Sequence, residues 1–161
     1  MITIVPVDLD RAEHAAALVQ LLDAYAHDPM GGGEGLPEAT RSGLVEALRQ
    51  RQDLVAVLAF DRERPVGLVN CFEGFSTFRC RPLLNIHDVV VLPEYRRQGI
   101  ARKMLLEVER IARERGCCKL TLEVLEGNLP AREAYRELGF SGYELDPAKG
   151  RALFWEKSLA D

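Results

Sequence analysis

No stretch of this sequence approaches the roughly eighteen consecutive apolar residues that a membrane-spanning helix needs. The opening MITIVPVDLDRAEH also lacks the basic start and apolar run of a secretory signal. A membrane partner is therefore not expected, and a cytoplasmic location is. A basic surplus is missing too: the net charge is −4, whereas gripping a nucleic-acid backbone ordinarily takes a clearly basic domain or stripe. Nucleic acid is set aside as a partner. The cysteines Cys71, Cys80, Cys117 and Cys118 show neither CxxC spacing nor the density of a disulfide scaffold, and read as buried thiols. His14 and His27 do not form an HxxxH pair, so no metal is expected. The GxxxxGK[ST] order of a phosphate-binding P-loop is absent, as is a GxGxxG after the first strand. GFSTF at Gly74 to Phe78 is not G-x-S-x-G.

What is present is ordinary globular composition: 161 residues, 47% hydrophobic, enough for one core over 1–161 that buries about two-thirds of the unfolded surface. Ile2 to Val7 reads as a strand. A helix over about Arg11 to Ala26 follows, with Leu18, Leu21, Leu22 and Tyr25 on one stripe. HDPMGGGEGLPE then breaks the helix, and a second helix covers about Glu38 to Arg51. Strands are predicted at Leu54 to Phe60, Val66 to Phe72 and Leu83 to Leu92. Ile100, Met104, Leu105, Val108, Ile111 and Ala112 mark a helix over Gly99 to Arg115 that stops at Gly116. Cys118 to Leu125 reads as a strand, Pro130 to Leu138 as a helix, and Ser141 to Leu145 with Ala152 to Ser158 as a closing hairpin. The order describes a mixed α/β sheet.

The most informative segment is VVVLPEYRRQGIARKMLLEVE, in which a buried strand ends and a helix begins at Gly99. A helix start leaves about four N–H groups unpaired and carries about half a positive charge, so it attracts a phosphate. Gly99 allows close backbone approach, and Arg96, Arg97, Arg102 and Lys103 crowd the same turn.

The run Arg96-Arg97-Gln98-Gly99-Ile100-Ala101 resembles the R/Q-x-x-G-x-G/A signature of GCN5-related N-acetyltransferases (GNAT), with Ala101 where many members have a second glycine. LEVLEGNLPAREAYRELGF resembles the second conserved region of that family, through Asn128, Ala131, Tyr135 and Leu138-Gly139-Phe140. The resemblance implies a mixed, mostly antiparallel sheet of about seven strands, flanked by about four helices. Its two central parallel strands, Leu83 to Leu92 and Cys118 to Leu125 here, splay apart around the acyl-CoA. It implies acetyl-CoA as co-substrate, with its pyrophosphate on the Gln98 to Ala101 backbone and an unidentified amine as acceptor. It further implies that backbone N–H groups near Val89, Val90 and Val91 polarise the thioester carbonyl. Tyr135 is then the proton donor to the departing thiolate, a role suited to a phenol, whose ordinary pKa is about 10.

The base is left open between His87, one residue before Asp88, and Glu123, twelve residues before Tyr135, with ordered water as a third route. His87 can also serve as a hydrogen-bonding residue of the sheet, Glu123 or Asp88 as the partner of a nearby cation. Members of the family commonly pair through sheet edges or C-terminal strands, which makes a homodimer through the hairpin containing Phe154 and Trp155 an expectation. A non-catalytic acyl-CoA-binding or sensor domain of the same fold is the alternative. Nothing in the first helices or the GGGEG loop identifies the acceptor.

Overall fold

The computed structural model describes residues 1–159 and comprises two compact units, Met1–Leu125 and a second that begins at Glu126. The first unit runs β1 (Ile2–Pro6), α1 (Ala12–His27), α2 (Glu38–Arg49), β2 (Leu54–Asp61), β3 (Arg64–Ser76), β4 (Arg81–Val91), α3 (Ile100–Glu114) and β5 (Leu120–Leu122). The strands lie in chain order in one sheet, antiparallel except for the last pair. A parallel pair needs a long crossover, and α3 supplies it between β4 and β5.

Strand β2 is apolar on both faces, and the sheet is covered on both. Ala17, Leu18 and Leu21 of α1 and Leu48 of α2 pack on Leu58, Leu68 and Val90. Side chains alternate along a strand, so Val57, Ala59, Gly67 and Val69 face the opposite side. There α3 lays down its buried stripe of Ile100, Met104, Leu105, Val108 and Ala112. The vacant Cβ position of Gly67 is only 2.8 Å from Met104 Cε, so a larger residue would collide with that stripe. Each fully buried aliphatic side chain contributes roughly 1.5–3 kcal/mol relative to exposure. A one-residue slip would turn all of them to the wrong face, which is what holds the register.

Helix α3 ends through paired backbone bonds, Cys117 N–H to Ala112 C=O at 2.9 Å and Gly116 N–H to Arg113 C=O at 3.0 Å. This Schellman geometry needs the left-handed φ of +75° that Gly116 adopts. The cysteines divide by position: Cys71 is buried in β3, whereas Cys80 is exposed in the β3–β4 turn, contrary to the expectation that all four are buried.

In the second unit, α4 (Leu129–Glu137) starts with Asn128 Oδ1 accepting the Ala131 N–H at 3.3 Å. It ends in a second Schellman motif, Phe140 N–H to Tyr135 C=O and Gly139 N–H to Arg136 C=O, both at 3.0 Å. The rings of Tyr135 and Phe140 then meet edge to face at 6.0 Å. Such a contact across the helix end is the usual companion of this motif. The expected closing hairpin is not formed: no strand occurs after β5 among the described residues. Ala152 N–H donates to Tyr143 C=O at a long 3.3 Å, while Leu153, Phe154 and Trp155 are exposed. A lone two-stranded ladder is marginal without a sheet or helix to pack on. Among the described residues the sheet therefore has five strands rather than about seven, alongside the four α-helices expected.

Candidate active site

The site in the first unit is built around an irregularity in β4. Asn70 pairs with Asp88 and Cys71 with Ile86, one step on β3 against two on β4, so His87 is an extra residue and β4 is bulged there. A bulge bends its strand and re-aims side chains. It brings His87 onto the side of Phe72, whose ring it meets edge-on at 5.5 Å, the same side to which Asp88 points through Asn70. His87 is exposed. The parallel ladder with β5 stops at this same level, its last pair being Ile86↔Leu122. Strand β4 continues to Val91 with no strand along that edge among the described residues.

Glu123 is affected directly. It was expected inside a strand over Cys118 to Leu125, but β5 covers only Leu120–Leu122, so Glu123 is exposed and lies just past the strand end. The end of β5 coincides with the bulge in β4, its last pair Ile86↔Leu122 directly preceding His87.

Orientation of the β4 backbone follows from one bond. Leu92 donates to Val66 C=O at 3.0 Å, toward β3. One residue earlier the backbone points the opposite way, so Val91, and by the same alternation Val89, face the open edge. Val90 directs its N–H into the ladder and its side chain into the core, which sets it apart from its two neighbours as an N–H donor.

The Val91 carbonyl accepts from Arg96 Nε at 3.1 Å, tying the end of β4 to the following loop. Arg96 Nη2 also binds Asp28 Oδ2 at 2.6 Å. The Asp28 carboxyl is held below its usual range, first by Arg96 and then by the Met30 N–H. A depressed folded-state pKa means the pair is fully formed at neutral pH and is lost as pH falls through that lowered value. Arg96 thereby ties Asp28 and the end of β4 to the loop. Arg97, Arg102 and Lys103 are exposed. After a 3-10 turn at Pro93–Tyr95, Arg97 and Gly99 take left-handed φ values of +62° and +74° and swing the chain into α3. No side chain caps the first turn of α3, so the N–H groups of Ile100, Ala101 and Arg102 are left open. Nothing lies within 4 Å of a Cβ placed at Gly99, so glycine is demanded there by φ and not by packing against this protein. Gln98 Nε2 donates to Glu94 C=O at 3.3 Å and closes the loop on itself.

The first unit thus brings together His87, Val89, Val91 and the loop from Arg96 to Arg102, while Asn128 and Tyr135 belong to the second. Three residues that the sequence analysis did not select take part. Asp28 anchors Arg96. Asn70 is a buried amide inside an otherwise apolar strand, VGLVNCF, and that contrast was its signal. Tyr25 had been read only as part of a helix stripe, but its phenol is pushed up, first by burial and then by the carboxylates of Asp88 and Asp28. A separate depression lined by Asp8, Leu48, Arg49 and Leu54 contains none of these residues.

An uncapped helix start entered through a left-handed glycine lies beside a strand edge left open by a bulge, an arrangement with the backbone donors to suit an anionic group. The model of the acetyltransferase (GNAT) family matches residues 16–140, and the chain belongs to that family. Streptothricin acetyltransferase of Streptomyces lavendulae is 45% identical over 90 residues, 55% of this chain and 48% of that protein. Thialysine N-epsilon-acetyltransferase of Bos taurus is 36% identical over 89 residues, 55% of this chain and 51% of that one. The chain thus spans about half the length of these curated relatives. The crystal structure of a probable acetyltransferase superimposes with a TM-score of 0.80 at 25% identity, covering 97% of this chain and 98% of the other.

Proposed function

We propose that the chain, as a single acyltransferase domain over 1–161, transfers the acetyl group of acetyl-CoA to a primary amine by direct attack on the thioester. The observation that carries this is the uncapped start of α3 behind Gly99, joined through Arg96 to the open edge of β4. A pyrophosphate on the N–H groups of the loop from Gln98 to Ala101, with Arg97 and Arg102 beside it, leaves the thioester end of the cofactor for the β4 edge. Val89 and Val91 N–H groups there polarise the thioester carbonyl. The neutral amine attacks the carbonyl carbon, a C–N bond forms and the C–S bond breaks. The thiolate takes a proton from Tyr135, and the proton lost by nitrogen goes to His87, Glu123 or ordered water.

Support for a small-molecule acceptor comes from relatives whose names specify thialysine and streptothricin. The test is free-thiol release from acetyl-CoA across a panel of thialysine, streptothricin, polyamines and peptide N-termini. We expect amine-dependent release at least about tenfold above hydrolysis. Tight acetyl-CoA binding with no amine-dependent release from any member would favour the non-catalytic sensor reading.

A further inference from the structure

Asp28, where α1 ends, is hydrogen-bonded in two directions. Its carbonyl accepts the Gly31 N–H at 2.8 Å and the Gly33 N–H at 3.1 Å, and its Oδ1 accepts the Met30 N–H at 2.9 Å. These bonds shape the start of the glycine-rich segment that leads to α2. Nothing lies within 4 Å of a Cβ placed at Gly32 or Gly33, so the chain there is held by backbone bonds and not by packing around those positions. The other carboxylate oxygen, Oδ2, leaves the segment altogether and accepts Arg96 Nη2 at 2.6 Å, across 68 positions of sequence. Arg96 Nε in turn holds the Val91 carbonyl at 3.1 Å. The Asp28 side chain is only 18% exposed, so its bond is better shielded than that of an ordinary surface pair. One carboxylate thus joins the glycine-rich segment to the end of β4 and to the loop that opens α3.

We propose that Asp28 is a positioning residue that acts through Arg96, coupling the order of the segment from Met30 to Gly33 to occupation of the cofactor loop, an inference that rests on the placement of acetyl-CoA argued above. Closing Arg96 onto Asp28 costs the long side chain its rotamer freedom. A CoA pyrophosphate on the N–H groups from Gln98 to Ala101 restrains the loop from which Arg96 extends, so less freedom remains to be lost when the bond to Asp28 forms. Linkage makes the effect reciprocal: whatever factor CoA adds to the closed segment, the closed segment adds to CoA binding. The turn itself needs only the Asp28 carbonyl and Oδ1, which leaves Oδ2 for the coupling. Asp28→Asn separates the two roles. Its amide oxygen can still cap the Met30 N–H, since Asn serves as well as Asp at such positions. Its NH2 group then faces the guanidinium, a donor against a donor.

The test follows hydrogen exchange of the Gly31 and Gly33 amides in the full chain, with and without saturating coenzyme A. In the parent, exchange should slow about threefold to fivefold when CoA is added, the scale of a well-oriented, partly exposed ion pair. Asp28→Asn should abolish that response and weaken CoA binding by a comparable factor in calorimetry. Arg96→Gln breaks the same bond, so in that background Asp28→Asn should change CoA affinity by less than about 1.5-fold. A melting temperature within about 4 °C of the parent is the control for folding of each variant. Exchange in the parent that ignores CoA overturns the proposal, and this measurement decides even if a variant fails to fold. A response that survives Asp28→Asn overturns it as well, as do independent losses in the double variant. In those cases the acetyltransferase reading still stands on amine-dependent thiol release. A chain that binds no CoA removes that reading, and this proposal with it.

Discussion

Tyr135 shows how one residue can serve two purposes that a single substitution separates. Its ring meets Phe140 across the end of α4, a contact that Tyr135→Phe preserves. The hydroxyl is what the proposed thiolate protonation needs. General-acid catalysis is typically worth about a hundredfold to ten-thousandfold, so the variant should lose at least about tenfold in turnover while acetyl-CoA affinity stays within about twofold. Full turnover under conditions where chemistry limits the rate would assign the proton to water. His87→Ala and Glu123→Gln belong in the same experiment. The true base should lose its rate most severely at low pH, where free amine is scarcest. Cys71 needs no place in this chemistry: burial, followed by the Asp88 charge, pushes its thiol up to about 12, far from a reactive thiolate.

Among the elements, the loop into α3 makes the strongest demand on one position. At φ +74° any residue with a Cβ is strained by roughly 1–2 kcal/mol, and a branched one also fills the space through which a phosphate would approach. Gly99→Val should therefore lower the melting temperature by several degrees and weaken acetyl-CoA binding at least about tenfold by calorimetry. Unchanged affinity would displace the pyrophosphate from this loop. Helix α3 itself was legible from sequence to within a residue, because its three-four stripe and its glycine stop are both local signals. Strand β5 was overestimated by five residues, and it stops level with a bulge on its neighbour, a feature outside its own sequence. That bulge is a property of pairing, so no pattern within NIHDVVV announces that His87 and Asp88 share a face. Asn70 was legible in principle as one polar residue in an apolar run. The closing hairpin has the alternation of strands but lacks a partner among the described residues, and alternation alone does not make a ladder.

For the whole molecule, the expected association of two copies through the C-terminal segment is a separate question from catalysis. Phe154 and Trp155 are 76% and 81% exposed, an apolar surface that a second copy could cover. If it does, sedimentation at micromolar concentration should give twice the chain mass, and Trp155→Ser should return the species to a single chain. A monomer in the parent disposes of the idea. The extra residue in β4 has a consequence of a different kind. A chain lacking position 87 would align Ile86 and the residue now numbered 88 directly opposite Cys71 and Asn70, and its hydrogen-bond ladder would run unbroken. By the rules of sheet packing that shorter strand is the more regular one, and its fold should be no less stable. What would vanish is the imidazole beside Asp88. Selection for stability alone has reason to erase this insertion, so its persistence in a lineage would measure selection for the work done at that edge.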